Sequence, residues 1–159
     1  MKKLLLISLI FILLSTPIIG NIRPTTGTFL KDSERNGYGV LKIKNDMNKT
    51  DAICIISSVD EPKKVLIAVY IRAKETFTIK GIKDGKYYLY FSLGEKWDSN
   101  VGKFTKNARY ERFKDIFIFK TQRVESSIHY TVYEVTLYEV AGGTAKTINI
   151  PKEDFPKIK

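Results

Sequence analysis

The sequence predicts an all-β protein, an antiparallel two-sheet sandwich of about seven strands, and three observations predict it. Several segments alternate apolar and polar residues with period two, as in Phe77-Thr78-Ile79-Lys80 and Tyr87-Tyr88-Leu89-Tyr90-Phe91. Turn-forming residues separate these segments at hairpin-like intervals. No stretch shows helical periodicity. One-sided strands must bury their apolar face, and two stacked sheets do this economically.

The chain has 159 residues, and its first 20 are set aside. Met1-Lys2-Lys3 is positively charged, residues 4–14 are apolar apart from Ser8, and Ser15-Thr16-Pro17 breaks the run before a cleavage point after Gly20. These features predict a signal peptide, and hence a secreted or periplasmic protein. Residues 4–19 fall short of the ~20 needed to span a bilayer, so no stable membrane insertion is expected after cleavage.

Residues 21–36 are polar and interrupted by Pro24 and Gly27, which predicts an N-terminal arm. A sandwich domain is expected over residues 37–140. Its first strand, 37–44, points Leu41 and Ile43 inward and Lys42 and Lys44 to water. Residues 51–59 are apolar on both faces, the pattern of a central strand covered on each side. Pro62 breaks the chain before a second such run at 65–73. Residues 73–98 read as a hairpin, with Asp84-Gly85 supplying the turn. Periodicity disappears over residues 94–114, a connection far longer than usual with room for a short helical turn around 106–113. It returns in strands at 115–120 and 129–140, where Tyr133, Val135 and Leu137 share a face. Residues 141–159 form a C-terminal tail with Ile148, Ile150 and Phe155 as docking points.

The formal charge is +10, of which two charges leave with Lys2 and Lys3. The cations are mostly lysines alternating with apolar residues, so they read as the solvated faces of sheets, and lysine also discourages edge pairing. Adhesion to anionic surfaces is an alternative; no nucleic-acid partner is expected. Cys54 is the only cysteine and lies in an apolar run, which predicts a packed, inert thiol and no intramolecular disulfide.

Catalysis needs reagents set against one another, and the sequence offers few. His129 is the only histidine, Ser126 and Ser127 lie outside any nucleophile-elbow pattern, and no phosphate-binding or dinucleotide fingerprint occurs. One His and one Cys cannot supply a four-ligand zinc site, and Asp98, Ser99 and Asn100 lack the rest of a calcium loop. No cofactor or metal is expected. The best-defined candidate binding surface is aromatic: Tyr88, Tyr90 and Trp97 beside Asp98, flat rings that would stack on sugars or grip a peptide if they share an exposed face.

The segment GIKDGKYYLYFSLG at residues 81–94 resembles the turn-glycine, core-tyrosine hairpin of carboxypeptidase-regulatory-like and other transthyretin-type sandwiches, with Gly85 and Tyr87 in those roles. Residues 37–140 more broadly resemble a bacterial exported domain of unassigned function. The resemblance implies a prealbumin-like or Ig-like sandwich. It does not imply the activity of hydroxyisourate hydrolase, an enzyme of this general fold that uses several histidines where this chain has one. The expected function is therefore an exported, non-enzymatic module with a binding or structural role, its partner a macromolecule such as a protein or glycan. A carbohydrate-binding module is the alternative, and a hydrolase ranks behind both.

Overall fold

The computed structural model describes residues 22–33, 35–138 and 147–158, so the expected signal peptide lies outside the described residues. Among the described residues there are twelve strands and no helix. These are β1 (Phe29–Asp32), β2 (Gly39–Asn45), β3 (Asp51–Ser58), β4 (Ile67–Ile71), β5 (Thr76–Ile82), β6 (Gly85–Asp98), β7 (Lys103–Phe113), β8 (Phe117–Phe119), β9 (Thr121–Val124), β10 (Ser127–Tyr130), β11 (Val132–Leu137) and β12 (Thr147–Asn149). A long sheet has the order β1-β4-β3-β6-β7-β12, with β8 also pairing β6; a short one has the order β11-β2-β5; β9 and β10 form a separate ribbon. All pairs are antiparallel except β11 with β2, which run parallel.

The all-β sandwich follows from burial on both faces of the long sheet. Along β3 and β4, Ala52, Cys54, Ile56, Ile67, Val69 and Ile71 face the short sheet and meet Leu41, Ile43, Ile79 and Leu137 in the main core. The alternate residues Ile53, Ile55, Ala68 and Tyr70 face outward into a second apolar cluster with Tyr90, Trp97, Phe104 and Phe155. Two-faced burial explains why both runs are apolar throughout.

The expected hairpin at 73–98 is a correction. Its two strands are present with the expected inward faces, but β5 pairs β2 in the short sheet while β6 pairs β3 in the long one. The chain crosses between sheets at Lys83 and Asp84, after β5 ends at Ile82; just before the crossing, Gly81 takes a φ of 83° that favours glycine, and a Cβ there would sit 2.7 Å from the Arg35 carbonyl oxygen. Gly85, at φ 159°, already belongs to β6. Asp84 instead ties the crossing to β9, its carboxylate accepting bonds from the Thr121 amide (2.8 Å) and hydroxyl (2.6 Å).

Three further segments differ from expectation. Residues 94–114 are not an irregular loop: β6 runs on to Asp98 and β7 returns beside it, with a register shift between Leu93 and Glu95. Residues 21–36 hold the edge strand β1, and their start is tied down as Arg72 donates to the carbonyls of Pro24 (2.7 Å) and Arg23 (3.1 Å). The strand expected at 129–140 breaks at Thr131, whose amide donates to the Lys120 carbonyl (3.1 Å) and whose hydroxyl accepts from the Lys120 amide (3.0 Å). There the chain leaves the β9–β10 ribbon for the short sheet. Residues 139–146, with the expected end of that strand, lie outside the described residues.

Candidate functional site

Tyr88, Tyr90, Trp97 and Asp98 all lie on β6, and the structure does not assemble them into an open aromatic face. Trp97, an odd number of residues from Tyr88 and Tyr90, nevertheless joins them in the outer cluster, and Lys96 just before it takes a positive φ of 53°. That face is covered, however. Trp97 is 5% exposed, set edge-on to Tyr70 (5.7 Å) and Phe104 (5.3 Å). Tyr90 is 6% exposed beneath Phe155, whose ring also meets Tyr110 at 4.7 Å. Phe155 thus acts as the docking point expected of the C-terminal tail. Tyr88 is half-buried, with the Arg112 guanidinium 4.3 Å above its ring. Asp98 closes the β6–β7 turn, accepting at Oδ1 from the Asn100 amide (2.9 Å) and at its carbonyl from the Gly102 amide (2.9 Å).

The chemically reactive side chains are dispersed. Cys54 is fully buried in the main core, and burial pushes its thiol well above the usual cysteine range. His129 is exposed on the β9–β10 ribbon opposite Gln122. Asp51, at the start of β3, is the most elaborately bonded carboxylate. Arg23 grips it with Nε (2.7 Å) and Nη2 (2.6 Å), the Tyr70 hydroxyl donates at 2.6 Å and the Ala73 amide at 2.8 Å. Burial pushes its carboxyl up, but Arg23, Tyr70 and Ala73 together hold it below the ordinary aspartate value. Burial and the neighbouring Asp51 push Tyr70 up. With four donors on two oxygens, this carboxylate fastens the N-terminal arm to the sheet.

The strongest candidate site is a seam that sequence reasoning missed. Among the described residues, the long sheet extends through β7 to β12, whereas the short sheet stops at β11. Between them lies a groove of about 390 Å³, walled on one side by β11 and on the other by the β7–β8 junction and Thr147. Phe113, Phe117, Val135 and Leu137 supply apolar surface; Glu111, Asp115 and Glu134 supply carboxylates.

The ladder fixes which backbone groups face this groove. The Val40 amide donates to the Thr131 carbonyl (3.1 Å) and the Asp46 amide to the Leu137 carbonyl (2.8 Å). In a parallel ladder bonding alternates by residue, so the backbone of Tyr133, Val135 and Leu137 turns to β2. The N–H and C=O of Glu134 and Thr136 therefore turn outward, and no strand pairs them among the described residues. Farther along, the neighbouring edge of β8 is closed by a side chain. The Tyr133 hydroxyl accepts from the Ile118 amide (3.3 Å), donates to its carbonyl (3.2 Å), and its ring packs on Phe117 and Phe119. Tyr133→Phe is expected to cost about 1 kcal/mol. Urea melting measures the loss, and faster hydrogen exchange at the Ile118 amide locates it.

No family model, curated protein or solved structure matches this chain. The reading of function accordingly stands on the residues themselves.

Proposed function

We propose that this chain is an exported, non-enzymatic β-sandwich module that binds another macromolecule in the cell envelope or outside the cell, with the seam beside β11 as its binding surface. The observation that supports it is the edge at Glu134 and Thr136, which no strand pairs among the described residues and which borders an apolar groove. Natural sheets usually cover, shorten or charge their edges, and an open one beside apolar surface is a template for a partner. Export rests on the sequence of residues 1–20. The non-enzymatic part is supported by where the reagents sit: the single thiol inside the core, the single imidazole on an exposed ribbon, and the Asp51 oxygens taken up by four donors.

The test is a panel of ester, peptide, glycoside and phosphomonoester substrates given to the full chain and to His129→Ala. No hydrolysis that depends on His129 is expected. Turnover above background that disappears in the variant would overturn the reading.

A further inference from the structure

We propose that the seam takes an extended polypeptide strand from a partner protein, which adds to β11 as a fourth strand of the short sheet. This rests on the binding reading above and names the class of ligand. The edge offers what a strand needs. Glu134 and Thr136 each present a donor and an acceptor in the plane of the sheet, and a strand about 4.8 Å away would satisfy all four groups. Among the described residues the short sheet has three strands and ends at β11, while Phe113 of β7 and Thr147 of β12 in the long sheet line the groove beside it.

Side chains then select the guest. An added strand alternates its side chains between the two faces of the short sheet. One set would enter the groove against Phe113, Phe117, Val135 and Leu137; the other would face solvent beside Glu134. The rim is acidic although the chain as a whole is strongly basic. Glu134 pairs with Lys42 (3.2 Å), and Glu111 accepts from Arg109 (3.2 Å) and the Thr147 hydroxyl (2.8 Å). Asp115 has no such partner among the described residues. The preferred guest therefore alternates apolar residues with polar or basic ones.

A single strand also fits better than a second copy of the chain. The edge of β11 is one wall of a groove whose other wall carries Asp115, Ile116 and Thr147, so a whole sheet would meet that wall before its edge reached β11.

A displayed library of random dodecapeptides, selected against the full chain, tests this. Enriched peptides are expected to carry apolar residues at every second position. A synthetic representative is expected to slow hydrogen exchange at Glu134 and Thr136, and N-methylation of its backbone at alternate residues is expected to weaken binding about ten-fold or more. Asp115→Lys, a surface change, should weaken binding of a basic representative while leaving thermal stability unchanged. Enriched peptides without the two-residue period, binding indifferent to N-methylation, or protection elsewhere on the chain would each overturn the proposal. So would concentration-dependent dimerisation that protects Glu134 and Thr136 without peptide. Any of these leaves a non-enzymatic binding module standing, because only His129-dependent turnover removes that.

Discussion

Phe91→Ala is expected to cost about 3–5 kcal/mol, a large share of the roughly 5–15 kcal/mol that holds a domain of this size together. Phe91 is fully buried at the middle of β6, where it sits opposite Cys54 on β3 and Glu111 on β7. Its ring meets Phe113 edge-on at 5.7 Å within the main core. Removing it leaves a cavity between the two sheets that rigid strands on both sides cannot collapse to fill. Phe91→Leu, which keeps most of the volume, is expected to cost less than about 1.5 kcal/mol. Denaturant titration measures both; a midpoint shift at unchanged slope assigns the loss to the folded state. Equal, small effects of the two variants would mean that this face of β6 is not the centre of the sandwich.

Asp51→Ala is expected to cost about 3 kcal/mol, for a different reason. It leaves the buried Tyr70 hydroxyl and the Ala73 amide without their acceptor, at about 1–3 kcal/mol per unsatisfied group. The Arg23 partner contributes less, because its side chain is 52% exposed and water replaces much of what it loses. Arg23→Ala is accordingly expected to cost only about 1 kcal/mol.

The Asp51 contribution also has a defined pH window. Its folded-state carboxyl lies below the ordinary value, so its stabilisation is complete above the unfolded pKa of about 3.9 and is lost as the pH falls through the folded value. Tyr70 has the opposite sign. Its pKa is raised on folding, so its share is complete below about 10 and is lost as the pH climbs. The stability gap between the parent chain and Asp51→Ala should thus be flat near neutrality and shrink in acid. Denaturation curves from pH 2 to 7 are the check; a gap that persists undiminished at the acid end would remove Asp51 from this role.

Legibility in the sequence divides along physical lines. Period two reports which face of a strand is buried, and there it reads well: Leu41 and Ile43 point inward, residues 53–56 are buried on both sides, and Val135 and Leu137 join Tyr133 at the core. It does not report which strand lies alongside. Hence β5 and β6, whose apolar faces confront each other from opposite sheets, look identical to a hairpin.

The strand β7 is hidden for another reason. Most of its residues between Lys103 and Phe113 are exposed or half-buried, and Asn107 takes a positive φ of 52°, so the ladder with β6 supplies the order that hydrophobic alternation does not. Tyr88 and Tyr90 share a face as their spacing suggests, Trp97 joins them against the alternation, and Phe155 reaches them from a segment too distant in sequence for local pattern to connect. The seam is the least legible feature. Glu134 and Thr136 are ordinary strand residues, and only the sheet order reveals that no strand follows β11 among the described residues.

Amide hydrogen exchange along β11 in the free chain is the most direct measurement. An open edge requires Glu134 and Thr136 to exchange about a hundred-fold or more faster than Val135 and Leu137, whose amides are held by β2. Uniform protection across all four would mean that the edge is already paired and the seam closed.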